Sequence, residues 1–142
     1  MRSLSCLLAA LFTVLFFTNA TAQEAEKYEN PEWYSFVYVD YHPGMMGEAR
    51  NIIDNYFKKA SAQAGTPIPV MEISLAAGEY DMLIVWKMED GVEGMNWKTS
   101  PSQVKWRAAM NELAGGEDQA KEIMENYRKC IRSSSSNMGR KL

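Results

Sequence analysis

Hydrophobic and polar positions change period several times along the chain, and each change marks an element. Over WYSFVYVDY, Trp33, Ser35, Val37, Val39 and Tyr41 fall on one side of an extended strand, and Tyr34, Phe36, Tyr38 and Asp40 on the other. Both sides are apolar as far as Val39, the pattern of a strand covered on two faces. His42-Pro43-Gly44 ends it, because proline has no amide for a ladder and glycine accommodates a turn. From Met45 the period becomes helical. Met45, Ala49, Ile52, Ile53, Tyr56, Phe57 and Ala60 recur three and four residues apart, and Glu48, Arg50, Asp54, Lys58 and Lys59 take the opposite side. Gly65 ends the helix and Pro67 prevents its return.

Two extended runs follow. Met71, Ile73 and Leu75 alternate with Glu72 and Ser74, as in a half-exposed strand. Ala77-Gly78 makes a turn into Tyr80–Met88, which is apolar on both faces, so the pair reads as a hairpin. A polar loop from Glu89 to Ser100 carries Trp97. Ser100 is then placed to cap a helix that has Pro101 in its first turn and Trp106, Ala109, Met110 and Leu113 as its apolar stripe. Gly115-Gly116 breaks that helix. Glu117 and Asp118 restart it with acids where the helix dipole favours them, and Ala120, Ile123, Met124, Tyr127 and Ile131 continue the stripe. Ser133–Ser136 and the basic end have no core-forming pattern, leaving a weak edge strand and a polar tail equally open.

The order of elements is strand, helix, strand, strand, broken helix. A compact solution sets the first and third strands side by side in the centre and the second on an edge, the split βαβ plan of an α+β ferredoxin-like sheet with helices on one face. The burial pattern agrees, because strands one and three are apolar on both faces and strand two is not. Helices cover one face only, so the other exposes either Tyr34, Phe36 and Tyr38 or the opposite set. Monomers rarely leave so large an apolar patch open. The expected cover is a second copy across a two-fold axis, a homodimer.

The strand-and-turn YVDYHPG, the helix EARNIIDNYF, the hairpin EISLAAGEYDMLIVWKMEDG and the tryptophan-bearing helices with a Gly-Gly break resemble the dimeric α+β barrel superfamily. The nearest similarity is to NIPSNAP-like proteins, with stress-responsive barrel proteins next, over about Trp33–Ile131. The resemblance implies a dimeric α/β barrel. It transfers no activity, since the superfamily mixes enzymes, binders and proteins of unknown role. Members that oxidise aromatic substrates or degrade haem use an apolar cavity between sheet and helices, which points to Tyr38, Phe57, Met82, Trp86, Trp97 and Trp106 as candidate ligand-binding residues. Aromatics and methionines at these spacings also serve as ordinary core. The chain lacks an early asparagine on its first strand and histidines on its later helices, which argues against haem degradation and cofactor-free oxygenation.

The first residues stand apart from this domain. Arg2, the apolar run to Phe17 and Ala20-Thr21-Ala22 read as a signal peptide over residues 1–22, with cleavage after Ala22 and a secreted or periplasmic product. The run is too short for a membrane span, which needs about 20 apolar residues, so no stable membrane insertion is expected after cleavage. Residues 23–31 form a flexible lead-in, 32–132 the barrel domain and 133–142 the tail or edge strand. Cleavage removes one positive charge from a net charge of −3. A mildly acidic, mixed surface gives no electrostatic reason to expect nucleic acid. It also leaves Cys130 as an odd thiol: buried and free, exposed and reactive, or half of an intermolecular disulfide.

Candidate chemistry is sparse. His42 follows Asp40 and Tyr41 at the end of the first strand, where a histidine beside a carboxylate can act as a general base. An exposed histidine in a turn fits the same residues. One histidine, one cysteine and scattered carboxylates make no metal-ligand set, and the glycines form no phosphate-binding loop. No metal or cofactor is expected. Three readings of function follow. The favoured one is an exported homodimer of undetermined role that binds a small apolar or aromatic ligand between sheet and helices. The alternatives are a cofactor-independent oxygenase or isomerase using His42 and Asp40, and a non-catalytic interaction protein.

Overall fold

A computed structural model describes residues 24–142; the signal peptide expected over residues 1–22 lies outside the described residues. Strand β1 is Trp33–Tyr41. Helix α1 spans 46–64, as an α-helical turn pair Met46–Ile52, a π-helical stretch Ile53–Phe57 and α-helix Lys58–Ala64. Strands β2 (Met71–Ser74) and β3 (Met82–Met88) form the hairpin. A 3-10 helix at Gly91–Asn96 leads to α2 (Pro101–Ala114), α3 (Glu117–Cys130) and β4 (Ile131–Arg140).

The sheet order is β2-β3-β1-β4 with every neighbouring pair antiparallel, the ferredoxin-like arrangement. Val37 lies opposite Ile84 and Ser136, and Val39 opposite Met82 and Ser134. That register assigns the two faces. Val37, Val39 and Tyr41 join Met82 and Ile84 beneath the helices, while Tyr34, Phe36, Tyr38 and Asp40 share the other face with Leu83, Val85 and Lys87. On β2, Met71 and Ile73 align with Val85 and Leu83 on this second face.

For residues 133–142 the sequence leaves a tail and an edge strand open; a strand forms, and it begins earlier, at Ile131, which the periodicity places on the helix, so that 131–140 run beside β1 along its whole length. Four serines have little strand propensity of their own. They are drawn into extended form because β1 offers a continuous row of backbone donors and acceptors. The strand starts with no loop: Cys130 is the last residue of α3, Ile131 is already extended, and Cys130 O accepts from His42 N at 2.9 Å. Cys130 is fully buried and unpaired, and its thiol donates to Asn126 O at 3.3 Å. Burial pushes the thiol pKa up.

Local signals set the helix ends. Ser100 Oγ accepts from Gln103 N at 3.2 Å and Gln103 Oε1 accepts from Ser100 N at 3.0 Å, a reciprocal capping box with Pro101 behind it. Gly65 (φ +60°) and Gly115 (φ +84°) end α1 and α2 in the left-handed region, where a Cβ is disfavoured. Most of the buried apolar residues form two clusters. Val39, Tyr41, Ala49, Met82 and Cys130 pack between sheet and helices; Ala60, Ala109, Met110 and Ala120 pack where the three helices meet. Among the described residues, no helix is long and apolar enough to cross a membrane.

Candidate functional site: a cavity between sheet and helices

Between the two core clusters lies a cavity of about 490 Å³. Met82, Ile84 and Trp86 form its floor on β3. They share parity with the helix-facing residues of β1, and alternation aims all three at the helices. Ile53, Phe57 and Ser61 of α1, Trp106 of α2 and Tyr127 of α3 close it from above. Phe57 is the centre of this roof. Its ring meets Trp106 at 5.6 Å and Tyr127 at 4.9 Å, both edge to face. The indole Nε1 of Trp106 donates to Phe57 O at 3.3 Å, tying α2 to the π-helical stretch of α1. Such stretches frequently occur at functional sites.

Polar groups gather at the rim. Lys58 Nζ lies 2.9 Å from Asp54 Oδ1 and 3.2 Å from Glu72 Oε2, spanning α1 and β2. The Asp54 and Glu72 carboxylates hold the Lys58 pKa above its ordinary value. Arg50 also lines the cavity and forms no ion pair among the described residues. Beside Tyr127, Tyr41 is buried, and burial raises the pKa of both phenols; the Arg50 guanidinium acts in the opposite sense on Tyr41. A second cavity of about 490 Å³ shares Ser61, Trp86 and Trp106 as a common wall and extends past Gln103 and Met124.

Of the residues singled out from the sequence for ligand binding, Phe57, Met82, Trp86 and Trp106 line the cavity. Tyr38 does not. Its parity places it on the opposite face of the sheet, where its ring packs 5.4 Å from Tyr80. Trp97 does not either; it follows the 3-10 helix and is 54% exposed. Arg50, Ile53 and Tyr127 were missed as site residues. The periodicity set Arg50 on the polar side of α1, opposite Ile53 and Phe57, yet it lines the cavity with them; Ile53 and Tyr127 were legible only as positions of an apolar stripe.

The structure does not bring His42, Asp40 and Tyr41 together as a catalytic group. His42 is exposed in the turn after β1, lines neither cavity, and uses its backbone to hold Cys130 O and Met45 N. Tyr41 points under the helices. Asp40 is buried on the other face, where Arg132 and Ser133 Oγ (3.3 Å) donate to Oδ2. The Arg132 guanidinium holds its carboxyl below the usual range. The register shifts at this point, with Asp40 opposite Ser133 and Tyr41 opposite Ile131, so Arg132 is the extra residue on β4; Asp81 Oδ2 accepts from Tyr41 N there at 2.9 Å. A carboxylate held ionised by an arginine on the far side of the sheet cannot assist His42 as a base.

No family model and no curated protein matches the chain. Solved structures do. A NIPSNAP family protein with unknown function from Agrobacterium tumefaciens str. C58 superposes with a TM-score of 0.53 at 9% identity, covering 82% of this chain and 94% of that one. A NIPSNAP-like domain protein from Burkholderia xenovorans gives 0.49 at 11% identity, with 78% and 84% covered. A dimeric ferredoxin-like protein from an uncultured marine organism gives 0.43 at 9% identity, with 80% and 90% covered. With the Agrobacterium protein the chain shares its fold over the 82% of its length that is matched, and the NIPSNAP-like, ferredoxin-like architecture expected from its motifs is the one it adopts.

Proposed function

We propose that this chain is an exported, homodimeric α+β barrel protein that holds a small apolar or aromatic ligand between its sheet and helices. The cavity carries this reading. Its volume falls within the range of roughly 300–1,000 Å³ typical of small-molecule sites, and Phe57, Trp86, Trp106 and Tyr127 line it together with aliphatic residues and the charged groups of its rim. A protein that needed only a packed core would fill this space.

The dimer is supported by the uncovered sheet face. Phe36, Tyr38 and Leu83, each partly exposed, form its centre around the buried Val85, and Met71 and Ile73 remain 53% and 38% exposed beside them. Charged groups flank this centre, with Asp40 and Arg132 at one end and Glu32, Lys87 and Lys141 at the other. An apolar centre with a polar rim is the anatomy of a protein interface. Burial at about 25 cal/mol per Å² makes covering it worth several kcal/mol. Export rests on the charged, apolar and small-residue zones of residues 1–22.

Native mass spectrometry of the protein purified from its exported fraction tests the three parts together. The expected result is a dimer of subunits beginning at Gln23, carrying the added mass of a small molecule. Monomers at micromolar concentration would overturn the dimer, and subunits retaining residues 1–22 would overturn export. A cavity that neither co-purifies with nor takes up any small apolar compound would overturn ligand binding.

A further inference from the structure

Resting on the ligand-binding reading above, we infer that the ligand is an amphipathic carboxylate, its anionic head taken by Arg50 and its apolar body by Phe57, Trp86 and Trp106. The charge pairing around the cavity points to this. Both rim carboxylates, Asp54 and Glu72, are already paired with Lys58. Arg50 lines the same cavity without a carboxylate partner among the described residues. A guanidinium presents a planar fork of donors matched to a carboxylate, which Lys58, shared between two acids, cannot offer. Arg50 stands one turn before Ile53 and two before Phe57 on the same side of α1. A head group on Arg50 therefore directs an attached ring or chain under Phe57 and toward the two indoles.

Tyr127 closes the cavity from the α3 side, and its hydroxyl is set against that of the buried Tyr41.

The test uses three probes of one shape: 2-naphthoate, its neutral amide, and 2-naphthylmethylamine, each titrated against the wild-type dimer and Arg50→Gln by calorimetry. Arg50 lies at an exposed helix position, and circular dichroism checks that the variant stays folded. The expected result is that 2-naphthoate binds the wild type and loses about tenfold or more in affinity in Arg50→Gln. The amide should bind both proteins equally. Equal binding of 2-naphthoate to both proteins would overturn the carboxylate assignment while leaving the cavity as a binding site. Tighter binding of the amine, weakened by Glu72→Gln, would overturn it in favour of a cationic ligand. Failure of all three probes to bind would instead count against the cavity reading itself.

Discussion

Glu32 precedes β1 and draws three parts of the chain together, with Lys87 of β3 at 2.6 Å and Lys141 beyond β4 at 3.1 Å. Its hydrogen bond from Lys87, then that from Lys141, brings its pKa from an ordinary 4.5 down to about 2. A carboxyl held down in the folded state stabilises fully above the unfolded value and loses that contribution as the pH falls. The stabilisation from Glu32 is therefore present above pH 4.5 and disappears between 4.5 and about 2. Carboxyl-detected NMR titration should place its midpoint near 2, and Lys87→Met should move it back toward 4.5. Salt should do the same in part, because the pair is solvent-exposed. Other residues were less readable in sequence. Arg50 looks like any polar helix position until the hairpin is folded against α1 and makes a cavity wall of that side. Tyr38 and Val39 are both large and apolar, and parity alone separates them; which parity faced the helices depended on where the helices docked.

At the scale of elements, the signals that work within a few residues of chain were readable and are present in the structure. Ser100 with Gln103 is the plainest. Ser100→Ala should lower stability by about 1 kcal/mol, seen as a fall of a few degrees in Tm, and Ser100→Asp should restore most of it. The ends of α1 and α2 at Gly65 and Gly115 are legible for the same local reason. Elements whose causes are distant were not. The serines of β4 become a strand because β1 lies beside them, and no window of sequence contains both partners. The π-helical stretch Ile53–Phe57 leaves the apolar spacing of α1 almost unchanged, so the periodicity did not reveal it. Trp97 was drawn toward the site by its residue type alone. It sits where no periodicity assigns a face.

For the whole molecule, the alternating faces of β1 and β3 divide the chemistry between two surfaces. Under the helices the sheet floors a cavity; on the other side it presents a ring of charge around an apolar centre. Leu83 lies opposite both Tyr38 and Ile73 in the middle of that second side. Under the proposed dimer, Leu83→Arg should give a monomer in light scattering while leaving the cavity in place, since its side chain does not enter the cavity. A dimer that persists would show that another surface joins the copies. The same division sorts the four tryptophans as optical probes. Trp86 and Trp106 line the cavity, whereas Trp33 packs against the backbone of Gly91 and Trp97 stands in solvent. Emission from the intact chain is thus a sum of two populations, and only the pair beneath the helices would be in direct contact with a molecule held there. Replacing Trp33 and Trp97 by phenylalanine leaves a protein whose remaining fluorescence belongs to the cavity alone.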